Sequence, residues 1–359
     1  MSSSSLPDEP QVLARASAVC RDWRRVLSDP GFLRGRPAVT MGFFHNFGAS
    51  TRRFEPVHAG LHGPASFSFD VHGLRTPWTA ATNRFLVWHP MTGHRSLVLA
   101  RELNAAHGAP REDHRFSAAL LCGCHGDDVD QGGQIAAPCH ASPFRIAALF
   151  NHRQSGNLRG SVFSSRTGRW IPTAGELPPT CVVRHVPGAA IGSTFYQPLH
   201  YHLVAAYDTE EQSLATFEQP DDVDTNNVRL FSFKAAEGGG VLGIAGVQGF
   251  VLRLWAREDE AWVLRNTVDL SEVLPEVTLS IRRGFGPYFV PPVKIVGVAE
   301  ESGPLFLWST VGVYTLCPES MELTKVREVT DEDDTIAMET VYPYTASYLP
   351  ATATFAPPI

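Results

Sequence analysis

Five times in this chain an apolar run ends on an aromatic residue, a short polar turn follows, and a second run begins. The first three copies are Leu86-Val87-Trp88 with a turn over His89 to Gly93, Ser161-Val162-Phe163 with Ser164 to Gly168, and Ala205-Ala206-Tyr207 with Asp208 to Gln212. Leu252-Arg253-Leu254-Trp255 with Ala256 to Glu260, and Val311-Gly312-Val313-Tyr314 with Thr315 to Glu319, complete the set. Thr92-Gly93 and Thr167-Gly168 fall at the same offset in the first two copies. The closing aromatics are 75, 44, 48 and 59 residues apart. A repeat of about 40 to 50 residues is the length of one four-stranded propeller blade, and the longest gap has room for a degenerate copy. The expected fold is therefore mostly β: an irregular β-propeller-like domain over about Gly42 to Tyr344, with at least one blade short of four strands. A large sandwich, or two smaller β domains, is the competing arrangement.

Composition agrees with that texture. Gly 30 and Pro 27 in 359 residues exceed the usual combined share of about 12%, as a chain rich in turns requires. Hydrophobic residues at 43% against charged residues at 19% mark a globular chain and exclude a disordered one. No apolar run reaches the roughly 18 residues of a membrane helix, so no membrane is expected as a partner. Met1 to Ser5 has neither the basic nor the apolar region of a signal peptide. Six Cys and no Asn-x-Ser/Thr sequon point to a reducing, intracellular compartment, cytoplasmic or nuclear. A net charge of -7 argues against nucleic acid as the main partner.

The chain starts differently. Leu13, Ala16, Cys20, Trp23 and Leu27 recur at steps of three and four, one face of a helix, with Arg15, Arg21, Asp22 and Arg25 opposite. Pro10 precedes this helix, and Asp29-Pro30-Gly31 ends it. An amphipathic helix this short is marginal alone, so its apolar face needs a partner surface. At the other end, the Pro/Ala/Thr-rich stretch 345–359 reads as a flexible tail.

The segment from Leu13 to Arg34 resembles the second half of an F-box, through Val19-Cys20-Arg21-Asp22-Trp23 and Asp29-Pro30-Gly31-Phe32-Leu33. The remainder is similar to the F-box-associated, propeller-like region of large plant F-box families. Gly42-Phe43-Phe44-His45-Asn46-Phe47-Gly48, Leu86 to Gly93, Ser142-Pro143-Phe144-Arg145, Val296 to Glu301 and Phe306 to Tyr314 carry that likeness. The resemblance implies a short α-helical, truncated F-box segment over 6–36, followed by the propeller-like domain over 42–344. It also implies a substrate receptor of an SCF-type cullin–RING ubiquitin ligase, without catalysis or cofactor. A Skp-type adaptor and cullin would be its partners on one side and a protein substrate on the other. Leu13, Val19, Cys20, Trp23 and Leu27 are then adaptor-interface candidates. A full F-box of this kind opens with a Leu-Pro entry and a leucine-rich first helix. Here Leu6-Pro7-Asp8-Glu9 runs directly into Pro10, which implies weakened adaptor docking. Leu74 to Arg84 and Phe195 to Tyr207 each fall a strand short of the family pattern.

Other chemistry fails on its context. Gly238-Gly239-Gly240-Val241-Leu242-Gly243 matches the letters of a dinucleotide fingerprint, with Glu258 to Glu260 at the acidic offset. That motif works only where the glycines open a helix. The next residues, Ile244 to Leu252, are strand-like with two more glycines, so a glycine-rich hairpin turn is expected. Cys122, Cys124, His125, Cys139 and His140 offer enough zinc donors, but not in the paired spacing of structural sites. Asp127-Asp128-Val129-Asp130 lacks the placed glycine and third acid of a calcium loop, and Asp221-Asp222-Val223-Asp224 repeats it as a second solvated loop. No metal, nucleotide or catalytic constellation is expected. Trp88, Trp255, Trp262 and Trp308 sit in strand contexts as packing residues, while Trp78 beside Pro77 reads as a loop aromatic.

Three functions compete: an F-box-type receptor, an orphan propeller or lectin-like binding module, and a propeller enzyme. The enzyme needs paired carboxylates at strand ends, and no acid is singled out by its neighbours. The helical segment separates the receptor from the orphan module. Of 30 basic residues only Lys234, Lys294 and Lys325 are lysine, which fits arginine-rich coding or a chain with few attachment points for ubiquitin.

Overall fold

The computed structural model describes residues 10–27, 29, 32, 39–45, 53–57, 84–88, 95–99, 116–122, 143–152, 154–184, 186–234, 240–274, 292–299, 303–309, 311–317, 320–328 and 340–346. Two helices come first, α1 (Pro10–Val19) and α2 (Arg21–Leu27). The sequence pattern predicts one helix here. The break falls at Cys20, whose sulfur accepts the backbone N–H of Trp23 at 3.5 Å and so caps the second helix. Leu13 and Leu27 are fully enclosed between the helices, with Ala16, Trp23 and Phe32 packed around them.

The described sheets that follow are antiparallel. Blade 1 contains β5 (Phe116–Cys122), β6 (Phe144–Asn151), β7 (Leu158–Ser164) and β8 (Arg169–Pro172). Blade 2 contains β9 (Ala189–Ile191), β10 (Thr194–Pro198), β11 (Leu203–Asp208) and β12 (Ser213–Glu218). Blade 3 contains β13 (Val228–Lys234), β14 (Gly240–Gln248), β15 (Val251–Glu258) and β16 (Ala261–Asp269). Blade 4 contains β17 (Val293–Val298), β18 (Leu305–Ser309), β19 (Gly312–Leu316) and β20 (Leu323–Glu328). These are four complete propeller blades. A two-stranded sheet, β3 (Arg84–Trp88) with β4 (Arg95–Leu99), precedes blade 1. A three-stranded sheet joins the two ends of the domain: β1 (Val39–His45) pairs with β2 (Arg53–Pro56) on one side and with β21 (Tyr342–Ala346) on the other.

The first strands of the four blades and the closing strand β21 lie side by side, in the order β5, β9, β13, β17, β21, as the inner strands of a propeller do. Strands covered on both faces read as continuous apolar runs: Leu305-Phe306-Leu307-Trp308 in β18 is buried throughout. Outer strands face solvent, as β16 does along most of its length. The apolar clusters lie between neighbouring sheets. Phe231, Leu254, Ile295 and Leu307 bury between blades 3 and 4, and Leu149, Val162, Phe195 and Tyr207 between blades 1 and 2. Phe43 of β1 packs edge-on against Phe306 of β18, ring centres 5.3 Å apart. Val341, just before β21, donates its N–H to Val296 O at 2.8 Å. Ring closure is thus both a strand pairing and an apolar seam.

The recurring aromatic–turn unit is the outer hairpin of every complete blade, and the same phase makes β3–β4 an outer hairpin. One turn is shorter than the sequence implies and one begins later. Strand β15 continues to Glu258, and Asp259-Glu260 alone turn the chain, at φ +46° and +67°. Strand β19 continues through Thr315 to Leu316. Phe195 to Tyr207 is not short of a strand: it holds nearly all of β10 and β11, because the connection spans only Leu199 to His202. Gly240 and Gly243 lie within β14 and open no helix; a Cβ on Gly243 would meet the Phe233 ring at 2.7 Å. Residues 235–239, including Gly238 and Gly239, lie outside the described residues, as does the 74–83 part of the other segment expected to be short. Thr345 and Ala346, expected in the tail, pair with Thr40 and Val39 in the closing sheet.

Candidate functional site

In this topology the linkers between blades and the turns between second and third strands fall on one face. The hydrogen bonds between them define it. Leu158 and Leu177 exchange backbone bonds of 2.9 Å, and His200 donates to Val182 O at 2.9 Å. Gln219 donates to His202 O at 2.6 Å, and Leu270 to Phe250 O at 2.8 Å.

The most exposed large hydrophobic side chain among the described residues lies on this face. Tyr201 is 77% exposed and sits at the tip of the β10–β11 connection. Tyr201 and His202 both take the left-handed backbone, φ +60° and +58°. That conformation costs a non-glycine residue about 1–2 kcal/mol. It persists because the surroundings over-determine it: besides the bonds above, Gln219 Nε2 donates to Leu203 O at 3.0 Å.

Beside Tyr201 runs an open apolar groove of about 510 Å³, lined by Pro179, Thr180, Val182, Tyr201 and Leu203. Its wall is the linker from β8 to β9, held by one buried-side amide. Asn151 Nδ2 donates to Gly156 O at 3.0 Å and to Cys181 O at 2.8 Å, and Asn151 Oδ1 accepts from Val183 N–H at 3.1 Å. Gln197 Nε2 donates to Arg184 O and Val186 O, each at 3.1 Å, and fixes the end of the same linker. Cys181 is buried beneath it, and burial pushes its thiol pKa up. Arg184 donates to Thr225 O. Burial lowers its pKa, and the nearby Asp224 carboxylate acts in the opposite sense.

The residues singled out by sequence separate into groups. Leu13 and Leu27 are fully buried and Trp23 half-buried, while Val19 is 71% exposed and Cys20 is also exposed. Trp255 and Trp308 are buried between blades, and Trp262 Nε1 donates to Glu218 O of the neighbouring blade at 2.8 Å. Asp221 and Asp222 are exposed, and Asp224 Oδ1 accepts from Asn226 N–H as a cap. Cys122 ends β5; Cys124, His125, Cys139, His140, Asp127, Asp128, Asp130 and Trp78 lie outside the described residues. Among the described residues no three His, Cys, Asp or Glu side chains gather as a metal site. No described helix is long and apolar enough to cross a membrane. Tyr201 and Asn151 carry no sequence signal of their placement. Leu199-His200-Tyr201-His202-Leu203 contains no Gly, Asn or Pro to announce a turn. The only mark of Asn151 is a polar residue closing the apolar run Ile146 to Phe150.

Residues 165–352, more than half of the chain, match the family model described as "F-box protein AT5G49610-like, beta-propeller". The chain belongs to this family. The matched residues include blades 2, 3 and 4 and the closing strand β21, and so contain the Tyr201 turn and the groove. Helices α1 and α2 lie outside the match. No curated protein matches the chain. Among solved structures, BBS1N in complex with ARL6DN is similar at 10% identity and a TM-score of 0.32, over 71% of this chain and 61% of that one. The F-box-family chain thus spans less than two thirds of that relative. A putative 6-phosphogluconolactonase from Bacteroides uniformis ATCC 8492 is similar at 10% identity and a TM-score of 0.33, over 86% of this chain and 73% of that one. BamB from Moraxella catarrhalis is similar at 13% identity and a TM-score of 0.26, over 49% of this chain and 48% of that one. Likenesses this distant carry no functional inference.

Proposed function

We propose that this chain is the substrate-recognition subunit of an SCF-type ubiquitin ligase, a non-catalytic receptor acting in the cytoplasm or nucleus. The reading is carried by one observation: a helical pair with its own small core, Leu13 against Leu27, precedes a propeller of an F-box protein family. In this reading the pair docks a Skp-type adaptor and through it a cullin, while the propeller holds a protein substrate. Leu13 and Leu27 hold the pair together. Val19, Cys20 and the open edge of Trp23 meet the adaptor. Docking is weak, because three side chains are a small patch beside the roughly 1,200–2,000 Å² buried in stable complexes.

Calorimetric titration of the intact chain with a purified Skp-type adaptor–cullin complex tests this. The expected result is binding in the micromolar range or weaker, abolished by Val19→Asp. That variant changes an exposed position and leaves the helical core packed. Submicromolar binding would contradict weak docking. No binding, or binding indifferent to Val19→Asp, would leave an orphan propeller binding module without a ligase role.

A further inference from the structure

We propose that the groove beside Tyr201 takes an extended segment of a partner protein that carries an apolar side chain flanked by basic residues. This rests on reading the chain as a receptor and names the class of segment received. Three observations support it. The groove is apolar along its lining, through Pro179, Val182, Tyr201 and Leu203, and such a surface favours an apolar anchor over a polar one. Its exposed aromatic is pre-organised: the ring stands on a turn fixed by Gln219 and Val182, so little freedom remains to be lost on binding. Tyrosines held in this way are enriched among residues that dominate binding energy.

Charge sets the flanks. Glu218 lies directly across the β11–β12 ladder from Leu203 of the lining. Asp221 and Asp222 follow one turn later, in the stretch that Gln219 ties to His202. All three are exposed, and no ion pair engages them among the described residues. Described cations of the flanking elements are already engaged, Arg257 among them, stacked 3.7 Å over the Phe217 ring. Arg159 pairs with Glu176 at 2.6 Å, and Arg184 is turned onto Thr225 O beside Asp224. One end of the groove is therefore negative on a chain of net charge -7, which attracts basic segments and repels acidic ones, nucleic acid and anionic membranes.

The test is a peptide array probed with the labelled intact chain. Each peptide is nine residues long, with central Leu, Phe or Tyr flanked by Arg, by Ser or by Glu. Arg-flanked peptides should be retained at least about tenfold better than Glu-flanked ones, a difference of about 1.4 kcal/mol, and the preference should shrink with added salt. Tyr201→Asn removes the ring while keeping a residue that tolerates the left-handed turn; it should abolish retention. Asp221→Asn with Asp222→Asn should erase the preference for Arg. Equal retention of all flanks, no retention, or retention unchanged by Tyr201→Asn would overturn the proposal. Adaptor titration on the same preparation separates the two readings. Adaptor binding without peptide preference sinks the groove alone. Peptide preference without adaptor binding sinks the ligase role alone and supports the groove.

Discussion

Among the described residues, the seam between blades 3 and 4 and the core of the α1–α2 pair are two extremes of burial. The seam gathers fourteen buried side chains, twelve from the two sheets and two, Leu270 and Leu274, from the turn of helix after β16; the helical pair encloses two apolar ones. Each buried aliphatic side chain is worth roughly 1.5–3 kcal/mol. The propeller therefore carries the stability, and the helical pair is an appendage that opens at low cost. In the proposed reading this thin core suits adaptor docking, since the exposed apolar residues Val19 at 71% and Val26 at 42% would be covered by the adaptor.

The largest effect is expected where the propeller closes. Phe43 is fully buried against Phe306, and Phe43→Ala should cost about 3–5 kcal/mol, seen as a lower urea midpoint for the whole domain. If the midpoint holds, closure by β1 and β21 does not secure the ring.

Leu27→Ala sharpens the contrast. It should cost about 2–5 kcal/mol, but within the helical pair alone. Amide exchange in Pro10–Val19 and Arg21–Leu27 should become fast while the propeller melts at its usual temperature. A shifted propeller transition would show that the pair belongs to the main core.

A comparable loss is expected from a polar tie between blades 3 and 4. Asn227 Nδ2 donates to Val293 O at 2.9 Å, and its Oδ1 accepts from Ile295 N–H at 2.9 Å, all of it buried. Asn227→Ala strands both backbone groups, at about 1–3 kcal/mol each. Asn226→Ala, at the exposed neighbour, should leave the midpoint unchanged and serves as the control.

The pH dependence is the smallest effect and has opposite signs at two adjacent residues. Burial tends to raise the Asp208 pKa. The N–H groups of Glu211 and Glu210 and the hydroxyls of Ser193 and Thr194 outweigh it and hold the carboxyl below its usual value. Its contribution is present above about pH 3.9 and is lost as pH falls through the lower folded value. Burial, with the Asp208 charge, raises the Tyr207 pKa. That contribution is full below about pH 10 and is lost as pH climbs through the raised folded value. Asp208→Asn and Tyr207→Phe should flatten the acid and alkaline limbs of a stability–pH curve, respectively. An unchanged limb in either variant would refute the assignment.

The blades were legible because each outer hairpin ends an apolar run on an aromatic and turns on polar residues. That signal is local. Ring closure was not legible, because Val39 to His45 and Tyr342 to Ala346 are some 300 residues apart and nothing in either segment encodes its partner. The helical segment shows in its period, yet its break does not, since a cysteine sulfur acting as a cap leaves no usual capping letter at Cys20. The binding face was illegible for a similar reason. Tyr201 and His202 adopt the left-handed backbone without the Gly or Asn that normally marks it, and the residues that hold this face, Gln219 at the turn and Asn151 behind the linker, are distant in sequence.

Hydrogen exchange on the intact chain, with and without a Skp-type adaptor–cullin complex at saturating concentration, tests the division of labour most directly. The account predicts slowed exchange in Pro10–Val19 and Arg21–Leu27, and none in 177–184 or 199–203. Protection of the Tyr201 face by the adaptor, or no protection of either helix, would contradict it.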